Sequence, residues 1–583
     1  MAAGEHVMPR ALPLEELNPN ERIKHGSRFL RGTLMETLAD PVTGAVSEAD
    51  GLLTKFFGIY QQDDRDQRDE RRRSKLEPKY QFMARVRLPG GACTAAQWLA
   101  LDGLARQYAG NTLRLTTRQT FQFHHVSKRN LRALIQGINA AGLDTIAACG
   151  DVNRNVICSA NSLQSPAHAE VSRLAHDIGA RLLPRTGAYR EVFLGSPAPE
   201  PPPDDEEPMY GSTYLPRKFK IALAVPPQND VDVFAHDLGF IAIVENGAIL
   251  GYNVCVGGGM GMTHKASATF PRLSEVAGFC TPDEVPDVAE QTLCIQRDYG
   301  DRKDRAHARF KYTIEDRGLD WFREELAARR GRALQAARPF RFDSSADRLG
   351  WLQGADGHWH YTLFVENGRL ADTAKRPLLT GLRAIASVHP GVFALTTNQN
   401  VTIAGVSEAD RPAIEALLTS HGIANDGYIS GIRQNSMACV ALPTCALAMA
   451  EAERYLPSLV DKVEQIVSQA GLADDPITIR MSGCPNGCPR PYLAEIALVG
   501  KAPGRYNLYL GASANGDRLN ALFRENIAEA EILTELDSLL RRYAAERTPG
   551  ERFGDFTVRA AVVPAMVNGR DFQRAPDSSR SIG

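Results

Sequence analysis

Four of the ten cysteines form two spaced pairs in the last third of the chain, and their side chains are candidate metal ligands. Cys439 and Cys445 are separated by five residues, and Cys484 and Cys488 by three. Four thiolates from two such segments are the ligand set of a 4Fe-4S cluster. A zinc site favours pairs about two to four residues apart, so the wider first pair fits zinc poorly. Four unconnected thiols are the third interpretation, and we expect most of the other six cysteines to be small buried side chains.

The segment LRLTTRQTFQFHH, residues 113–125, carries a polar face of candidate ligand-binding side chains. Because successive side chains of a strand point to opposite faces, residues at every second position share a face. One face is apolar, with Leu115, Phe121 and Phe123. The other face holds Arg114, Thr116, Arg118, Gln122 and His124.

Basic residues also alternate in two other strand-like segments. These are Arg85 with Arg87 in ARVRLPGG and Lys218 with Lys220 in YLPRKFKIALAV, while Arg154 follows a helix-like segment. Any one of these cations is best interpreted as a solvated surface charge. Together they stand beside buried-type apolar runs, and a buried cation needs a paired anion. The pattern therefore predicts an anionic ligand or partner.

Composition excludes several functional classes. Hydrophobic residues make up 43% and charged residues 23% of the 583 residues, and the formal net charge is −2. Without a basic excess we predict no nucleic-acid partner. No segment offers about 20 uninterrupted apolar residues, so we predict no membrane span. Cysteines without a secretory signal predict a cytoplasmic protein with reduced thiols.

The glycine cluster GGGMG at residues 257–261 is a weak signal. It does not complete the G-x-G-x-x-G pattern, and no P-loop motif is present elsewhere. We therefore predict no nucleotide site in this chain. Electrons for a redox reaction would have to come from a partner.

Two stretches of the chain repeat at an offset of 280 residues. The sequence LTT occurs at 115–117 and again at 395–397, and Asn155 falls opposite Asn435. Each copy reads as a strand followed by a helix. A duplication of this period predicts two similar α/β halves related by pseudo-symmetry, with a cofactor between them.

With these residues assembled, the chain resembles the haemoprotein subunits of NADPH-dependent sulfite reductases, within the sirohaem sulfite and nitrite reductase family. The likeness runs from about Leu17 to Phe572. The segments that carry it include NERIKHGSRFLRG, YQQDDRD, RLTTRQTFQFH, TYLPRKFK, PPQND, NSMAC, GCPNGC and GKAPGRYNLYLG. Two paired cysteine motifs together with TYLPRKFK make the resemblance specific.

The resemblance implies two cofactors, one 4Fe-4S cluster and one sirohaem. It assigns the cluster to Cys439, Cys445, Cys484 and Cys488, with Cys488 also binding the sirohaem iron. It assigns anion binding and proton delivery to Arg85, Arg154, Lys218 and Lys220. It assigns sirohaem contacts to Arg114, Thr116, Arg118, Gln122, Arg217 and Gln399. One departure from the family pattern is Pro489, which removes a backbone N–H that could hydrogen-bond sulfur.

The resemblance also implies an α/β (α+β) fold of three domains, with a pseudo-two-fold duplication of ferredoxin-like and α/β halves. Residues 1–75 are expected to form a partner-docking arm. Residues 76–146 with 350–424 would form the ferredoxin-like domain. Residues 147–349 would form an α/β domain for sirohaem and substrate, and 425–583 an α/β iron-sulfur domain.

The expected activity is the assimilatory reduction of sulfite to sulfide with six electrons. The expected donor is an NADPH-oxidising flavoprotein subunit, with ferredoxin as the alternative. Nitrite reduction on the same scaffold is the nearest competing function. A non-catalytic 4Fe-4S electron carrier is the competing function of a different class.

Overall fold

Twenty strands form four five-stranded sheets in the computed structural model, which describes residues 12–196, 206–425, 429–566 and 568–573. In chain order the strands are β1 (Ile59–Asp63), β2 (Tyr80–Arg85), β3 (Ala92–Thr94), β4 (Leu113–Leu115), β5 (Phe121–Val126), β6 (Ile157–Cys158), β7 (Ile221–Ala224), β8 (Leu238–Glu245), β9 (Ala248–Val256), β10 (Glu275–Cys280), β11 (Gly350–Gln353), β12 (Trp359–Leu363), β13 (Arg369–Leu370), β14 (Val392–Leu395), β15 (Val401–Val406), β16 (Ser436–Ala438), β17 (Ile479–Ser482), β18 (Ile496–Ala502), β19 (Arg505–Leu510) and β20 (Ala521–Ile527).

Sixteen α-helices connect and cover these sheets within the described residues. They are α1 (Pro19–Gly26), α2 (Leu34–Ala39), α3 (Glu48–Leu53), α4 (Arg68–Arg73), α5 (Ala95–Tyr108), α6 (Leu131–Ala140), α7 (Pro166–Arg181), α8 (Val285–Tyr299), α9 (Phe310–Arg317), α10 (Leu319–Arg330), α11 (Leu378–Val388), α12 (Arg411–Ser420), α13 (Gly431–Gln434), α14 (Leu456–Gln469), α15 (Glu529–Glu546) and α16 (Phe553–Arg559). No helix of the described ranges is long and apolar enough to cross a membrane.

Local sequence accounts for the limits of several helices. In α6 the apolar residues recur at helical spacing, and Leu131, Leu134, Ile135 and Ile138 are all buried. Helix α7 begins with proline in its first turn, after Ser165 accepts a hydrogen bond from a first-turn N–H. These helices cover the sheets that carry the candidate site residues.

The first and third sheets have the same strand order and exchange their edge strands. One runs β1-β2-β5-β4-β13 and the other β11-β12-β15-β14-β3, so each takes its last strand from the other copy. Strand β13 pairs antiparallel with β4, and β3 pairs antiparallel with β14. The predicted duplication of ferredoxin-like halves is confirmed, and the exchange joins the copies through backbone hydrogen bonds.

The other two sheets are a second duplicated pair. Strands β6, β7 and β8 are parallel and continue into the antiparallel β9 and β10. Strands β16, β17 and β18 are likewise parallel and continue into the antiparallel β19 and β20. Because parallel strands align their carboxyl ends, each sheet has one edge suited to a ligand site.

Residues 59–63, within the segment predicted as an N-terminal arm, form β1 and pair with β2 along its whole length. Residues 1–11 of that segment lie outside the described residues. The docking role of residues 1–75 and the boundaries of the three domains stay predictions.

Trp98 on α5 joins the two ferredoxin-like sheets. Its indole is 1% exposed, stacks on Phe393 of β14 at a centroid distance of 4.7 Å, and meets the edge of Phe121 of β5 at 5.5 Å. All three rings lie in the largest apolar core. Aromatic contacts of this kind add to the free energy of burial.

We expect Trp98→Ala to lower the free energy of unfolding by about 3–5 kcal/mol, because it removes a buried ring and leaves a cavity between the halves. Urea unfolding followed by far-UV circular dichroism measures the loss. Trp359→Ala, which alters a partly exposed ring of β12 beside Glu408, is the matched control and should cost about 1 kcal/mol or less. Equal losses in the two variants would contradict the assigned role of Trp98.

Candidate functional site

The two cysteine pairs meet at one edge of a sheet. Cys439 directly follows β16, and Cys484 lies two residues after its parallel neighbour β17. The N–H of Cys439 donates to the carbonyl of Met481 at 3.2 Å, which continues the pairing to the cysteine itself. Since carboxyl ends of parallel strands share an edge, residues distant in sequence become neighbours. Cys445 and Cys488 occupy the loops that follow.

The four thiols affect one another electrostatically. Burial, followed by the charges of Cys488 and Cys484, raises the pKa of Cys445 to about 11. Burial and the neighbouring cysteines also raise the pKa of Cys439 and of Cys484. The raised pKa values of Cys439, Cys445 and Cys484 mean that these thiols lose their protons readily only beside a cation, such as a metal centre.

Hydrogen-bond donors approach the sulfur atoms. The N–H of Gly483 donates to Cys439 Sγ at 3.3 Å, and the Asn486 amide donates to Cys484 Sγ at 3.5 Å. No three His, Cys, Asp or Glu side chains of the described residues converge as they would around one metal ion. A 4Fe-4S cluster takes one thiolate for each iron. Because each thiolate binds a different iron, the four sulfur atoms can hold such a cluster without all pointing at a single metal position.

The segment after the second pair is tied to the equivalent turns of both repeats. Cys488 is the one exposed cysteine of the ten, and its carbonyl accepts from Thr117 Oγ1 at 3.2 Å. Two residues later, Arg490 donates to the carbonyl of Thr117 at 3.2 Å and to that of Thr397 at 3.1 Å. These two threonines are 280 residues apart. The cysteine edge therefore contacts both halves of the molecule.

A cluster of basic side chains, called the basic wall below, faces the cysteine edge. It includes Lys218, Lys220, Arg118 and Arg154. Burial, then the charges of Arg217, Arg309 and Arg154, lower the pKa of Lys218 to about 7, while the Cys488 thiol opposes this shift. Burial and Lys218 lower the pKa of Lys220 well below its ordinary value. These lysines can therefore release protons at a pH where an exposed lysine cannot.

Arginines extend the wall. Arg118 donates to the carbonyl of Ile221 at 3.2 Å and lies 3.2 Å from His236 Nδ1. Burial, followed by Arg490 and Arg154, lowers the pKa of Arg118 to about 9. Arg154 donates to the carbonyl of Gly150 at 2.7 Å. These positive charges repel one another, because too few carboxylates lie between them to neutralise the charge.

Buried polar atoms without partners mark the space beside this wall. Most are donors, which an anionic group would satisfy. Within the described part of the chain they include Arg85 Nε, Arg118 Nε, Arg217 Nε, both ring nitrogens of His124, and Gln399 Oε1. Unsatisfied guanidinium donors beside four thiols fit an iron-sulfur cluster next to a cofactor that carries carboxylates.

The remaining predicted cofactor contacts have protein partners. Arg114 donates to Glu453 at 2.9 Å and to the carbonyl of Ala438 at 2.8 Å, one residue before Cys439. Gln399 donates to the same carbonyl at 3.0 Å. Thr116 Oγ1 accepts from the N–H of Arg118 at 3.2 Å, within its own turn. These residues brace the first cysteine and the polar strand.

Gln122 lies on the same strand face as Arg114, as the strand period predicts. Its Oε1 accepts from Arg114 Nη1 at 3.5 Å, and its Nε2 lies 3.6 Å from the sulfur of Met83. The structure thus brings the predicted site residues toward one region between the two repeats, whereas Arg87 forms a separate ion pair with Asp144 at 2.6 Å. Their individual roles stay predictions.

Sequence reasoning missed the carboxylates that organise the wall. Asp237 accepts two hydrogen bonds from Arg309 at 3.0 Å and one from the N–H of Lys220 at 3.0 Å. Glu453 binds Arg114 and, at 2.6 Å, Arg369. An acidic residue before the mainly apolar run LGFIAIV was the only sequence signal for Asp237. No spacing pattern indicates Glu453.

Family models match most of the duplicated architecture. The nitrite/sulfite reductase ferredoxin-like half domain matches residues 74–141 and 352–421. The nitrite and sulphite reductase 4Fe-4S domain matches residues 159–334. The four paired cysteines lie beyond that range, in the equivalent second unit.

Whole-chain relatives agree with the domain matches. The sulfite reductase (NADPH) hemoprotein beta-component of Chromohalobacter salexigens is 59% identical over 97% of this chain and 98% of its own. That of Geobacillus kaustophilus is 58% identical over 95% and 97%. The structure of Mycobacterium tuberculosis NirA protein superposes with a TM-score of 0.75 at 25% identity, covering 96% of this chain and 98% of that one. This chain belongs to the nitrite and sulphite reductase family.

Proposed function

We propose that this chain is the catalytic subunit of an assimilatory sulfite reductase, which reduces sulfite to sulfide with a sirohaem coupled to a 4Fe-4S cluster. The observation that carries the proposal is the set of four neighbouring thiols beside a wall of cations with unsatisfied donors. The near full-length likeness to sulfite reductase hemoprotein beta-components supports it.

Cys439, Cys445, Cys484 and Cys488 are the proposed cluster ligands, with Cys488 shared between the cluster and the sirohaem iron. Bound together, these groups would supply single electrons and a metal site for the sulfur atom of the anion. Cys488 suits the shared role because it is exposed and lies close enough to Lys218 to affect the pKa of that lysine. Gly483 and Asn486 orient the sulfur atoms of Cys439 and Cys484.

Arg85, Arg154, Lys218 and Lys220 are proposed to bind the sulfite anion. Arginine presents a planar fork of donors that matches an oxyanion, and it stays charged. Preorganised cations also stabilise negative charge as the S–O bonds break. The two lysines are the proposed proton donors, because burial and neighbouring cations lower the pKa of each below the ordinary value of a lysine.

A second group of polar residues is proposed to hold the sirohaem, several of them through its carboxylates. The unpartnered donors of Arg118 and Arg217 support this assignment. The proposed contacts are Arg114, Thr116, Arg118, Gln122, Arg217 and Gln399.

The electron donor is proposed to be an NADPH-oxidising flavoprotein subunit, with ferredoxin as the alternative. The beta-component names of the relatives support an assembly with another subunit. We also propose a cytoplasmic location, which agrees with ten free cysteines.

The absorption spectrum and turnover of the purified protein test the function. Protein made in cells that synthesise sirohaem should show sirohaem and iron-sulfur absorption, and it should convert sulfite to sulfide with a reduced dye as donor. Nitrite assayed in parallel distinguishes the two family activities. A colourless protein, or a coloured protein inactive with sulfite, would contradict the proposal.

Cys488→Ser should disturb both cofactors, because this thiol is proposed to serve both metal centres. Visible absorption, together with iron and acid-labile sulfide per chain, provides the measurement. Cys294→Ser, which changes a buried cysteine of α8, is the control and should leave both absorptions intact. If Cys488→Ser kept the native spectrum, the shared-ligand assignment would be wrong.

The value of kcat/KM for sulfite should fall as pH rises above about 7, because Lys218 then loses its proton. This ratio reports groups of the free enzyme. Lys218→Met should keep the cofactor spectrum, lower kcat/KM by about a hundredfold at pH 6.5 and remove the lysine-dependent part of the decline. Because sulfite itself titrates near neutrality, the variant profile supplies the substrate baseline. If the normalised pH profiles of kcat/KM for the parent protein and Lys218→Met were superimposable, Lys218 would not be one of the proton donors.

A further inference from the structure

Lys24 of α1 is a fully buried lysine, with 0% of its side chain exposed. Its ammonium donates to Glu21 in the same helix, to Asp151 at 3.5 Å and to the carbonyl of Leu215 at 2.6 Å. An ammonium group has three N–H donors, so these acceptors use all of them. A lysine this deep is not a solvated surface charge.

The two acceptors outside α1 belong to the loops that carry proposed anion-binding side chains. Asp151 lies three residues before Arg154, and Leu215 lies three residues before Lys218. The N–H of Leu215 also donates to the carbonyl of Asp151 at 3.0 Å. One ammonium group therefore contacts both loops at the point where they meet.

Lys24 is not needed to neutralise the two carboxylates that it contacts, because each has a second basic partner. Glu21 also pairs with Arg302, and Asp151 pairs with Arg305 at 2.9 Å. Each carboxylate keeps an arginine when Lys24 loses its charge. A neutral side chain of similar length therefore leaves no unpaired buried carboxylate, the situation that most strongly destabilises a fold.

Arg302 extends the same connection toward the second loop. Its guanidinium donates to the carbonyl of Tyr214 at 2.7 Å, and its own carbonyl accepts from the N–H of Asn18, the residue that caps α1. The N-terminal helix is therefore fixed at its start as well as at Lys24. It is held against both loops as part of one packed unit.

We propose that Lys24 is a positioning residue through which helix α1 holds the loops of Arg154 and Lys218 together so that both cations face one anion. The inference rests on the proposed function for the identity of that anion. The hydrogen bonds from Lys24 to Asp151 and Leu215 do not depend on which anion is bound, because both partners are residues of the protein. Loss of Lys24 loosens the contact between the loops, which Arg305 and the backbone hydrogen bonds of Arg154 and Phe219 still connect, while the cysteine edge stays intact.

Hydrogen–deuterium exchange of the cofactor-containing protein tests the positioning directly. In Lys24→Met, amides of residues 147–154 and 214–220 should exchange about tenfold faster, because local opening of these loops becomes easier. Residues 436–510, which carry the cysteines, should be unchanged. The KM for sulfite should rise about tenfold, with kcat changed less than about threefold and an unaltered spectrum, since anion binding is loosened more than electron delivery.

Lys303→Met is the matched control. Lys303 forms an exposed ion pair with Glu16, so it joins the same N-terminal segment to the 300–305 loop without contacting Asp151 or Leu215. Its exchange pattern and KM should equal those of the parent protein. If Lys24→Met shows parent exchange in both loops, or if both variants change equally, the positioning role is wrong.

Asp151→Asn keeps the inference testable if Lys24→Met fails to fold. This variant weakens the contacts of both Lys24 and Arg305 with the first loop, so exchange should rise in residues 147–154 and less in 214–220. Unchanged exchange in 147–154 would overturn the proposal. Normal cofactor absorption without sulfite turnover in the parent protein would refute the proposed function instead, and the exchange result would stand by itself.

Discussion

More cations than carboxylates are gathered, mostly half-buried, at one place between the two repeats, and the rest of the structure depends on this imbalance of charge. Lys218 and Lys220 lie among Arg118, Arg154 and Arg217, and burial and like charges lower the pKa of both lysines. Such a site is costly unless an anion occupies it. The cost is a property of the folded chain, and it makes the site selective for negatively charged ligands.

The carboxylates near this site bind protein cations and do not line the proposed ligand site. Asp237 accepts hydrogen bonds from Arg309 and from the N–H of Lys220 just before β7, Glu453 binds Arg114 and Arg369, and Asp151 binds Lys24 and Arg305. Asp237 and Asp151 are buried and the side chain of Glu453 is 13% exposed, and each accepts several hydrogen bonds, so it fixes the position of a cation. Among the described residues, Arg309, Arg114 and Arg369 form ion pairs with these carboxylates, whereas Lys218 and Lys220 form none and so remain available to an anionic ligand.

Duplication supplied two equivalent edges, of which one carries the cysteines. At the offset of 280 residues, Ser159 and Ser165 stand where Cys439 and Cys445 stand in the second unit. The first edge instead borders a cavity of about 280 Å³, whose lining includes Ser165, Asp230 and Asp347. The same backbone arrangement therefore serves different chemistry in the two units, because the residues at the strand ends differ.

Local patterns predicted much of the architecture. The LTT repeat predicted the duplication, alternation predicted the shared face of Arg114 and Gln122, and helical spacing predicted the buried face of α6. The exchange of β3 and β13 was not predictable, because strands of two or three residues carry no periodicity of their own.

The sequence by itself determined the ligand types: two cysteine pairs, a basic strand face and the absence of a nucleotide motif. Only the tertiary structure decided that both pairs meet at one parallel edge and that a lysine of the first helix reaches the loops of Arg154 and Lys218. The physical reason is that spacing in sequence describes one element at a time. Long-range pairing, burial and charge balance arise only when separate elements pack against each other.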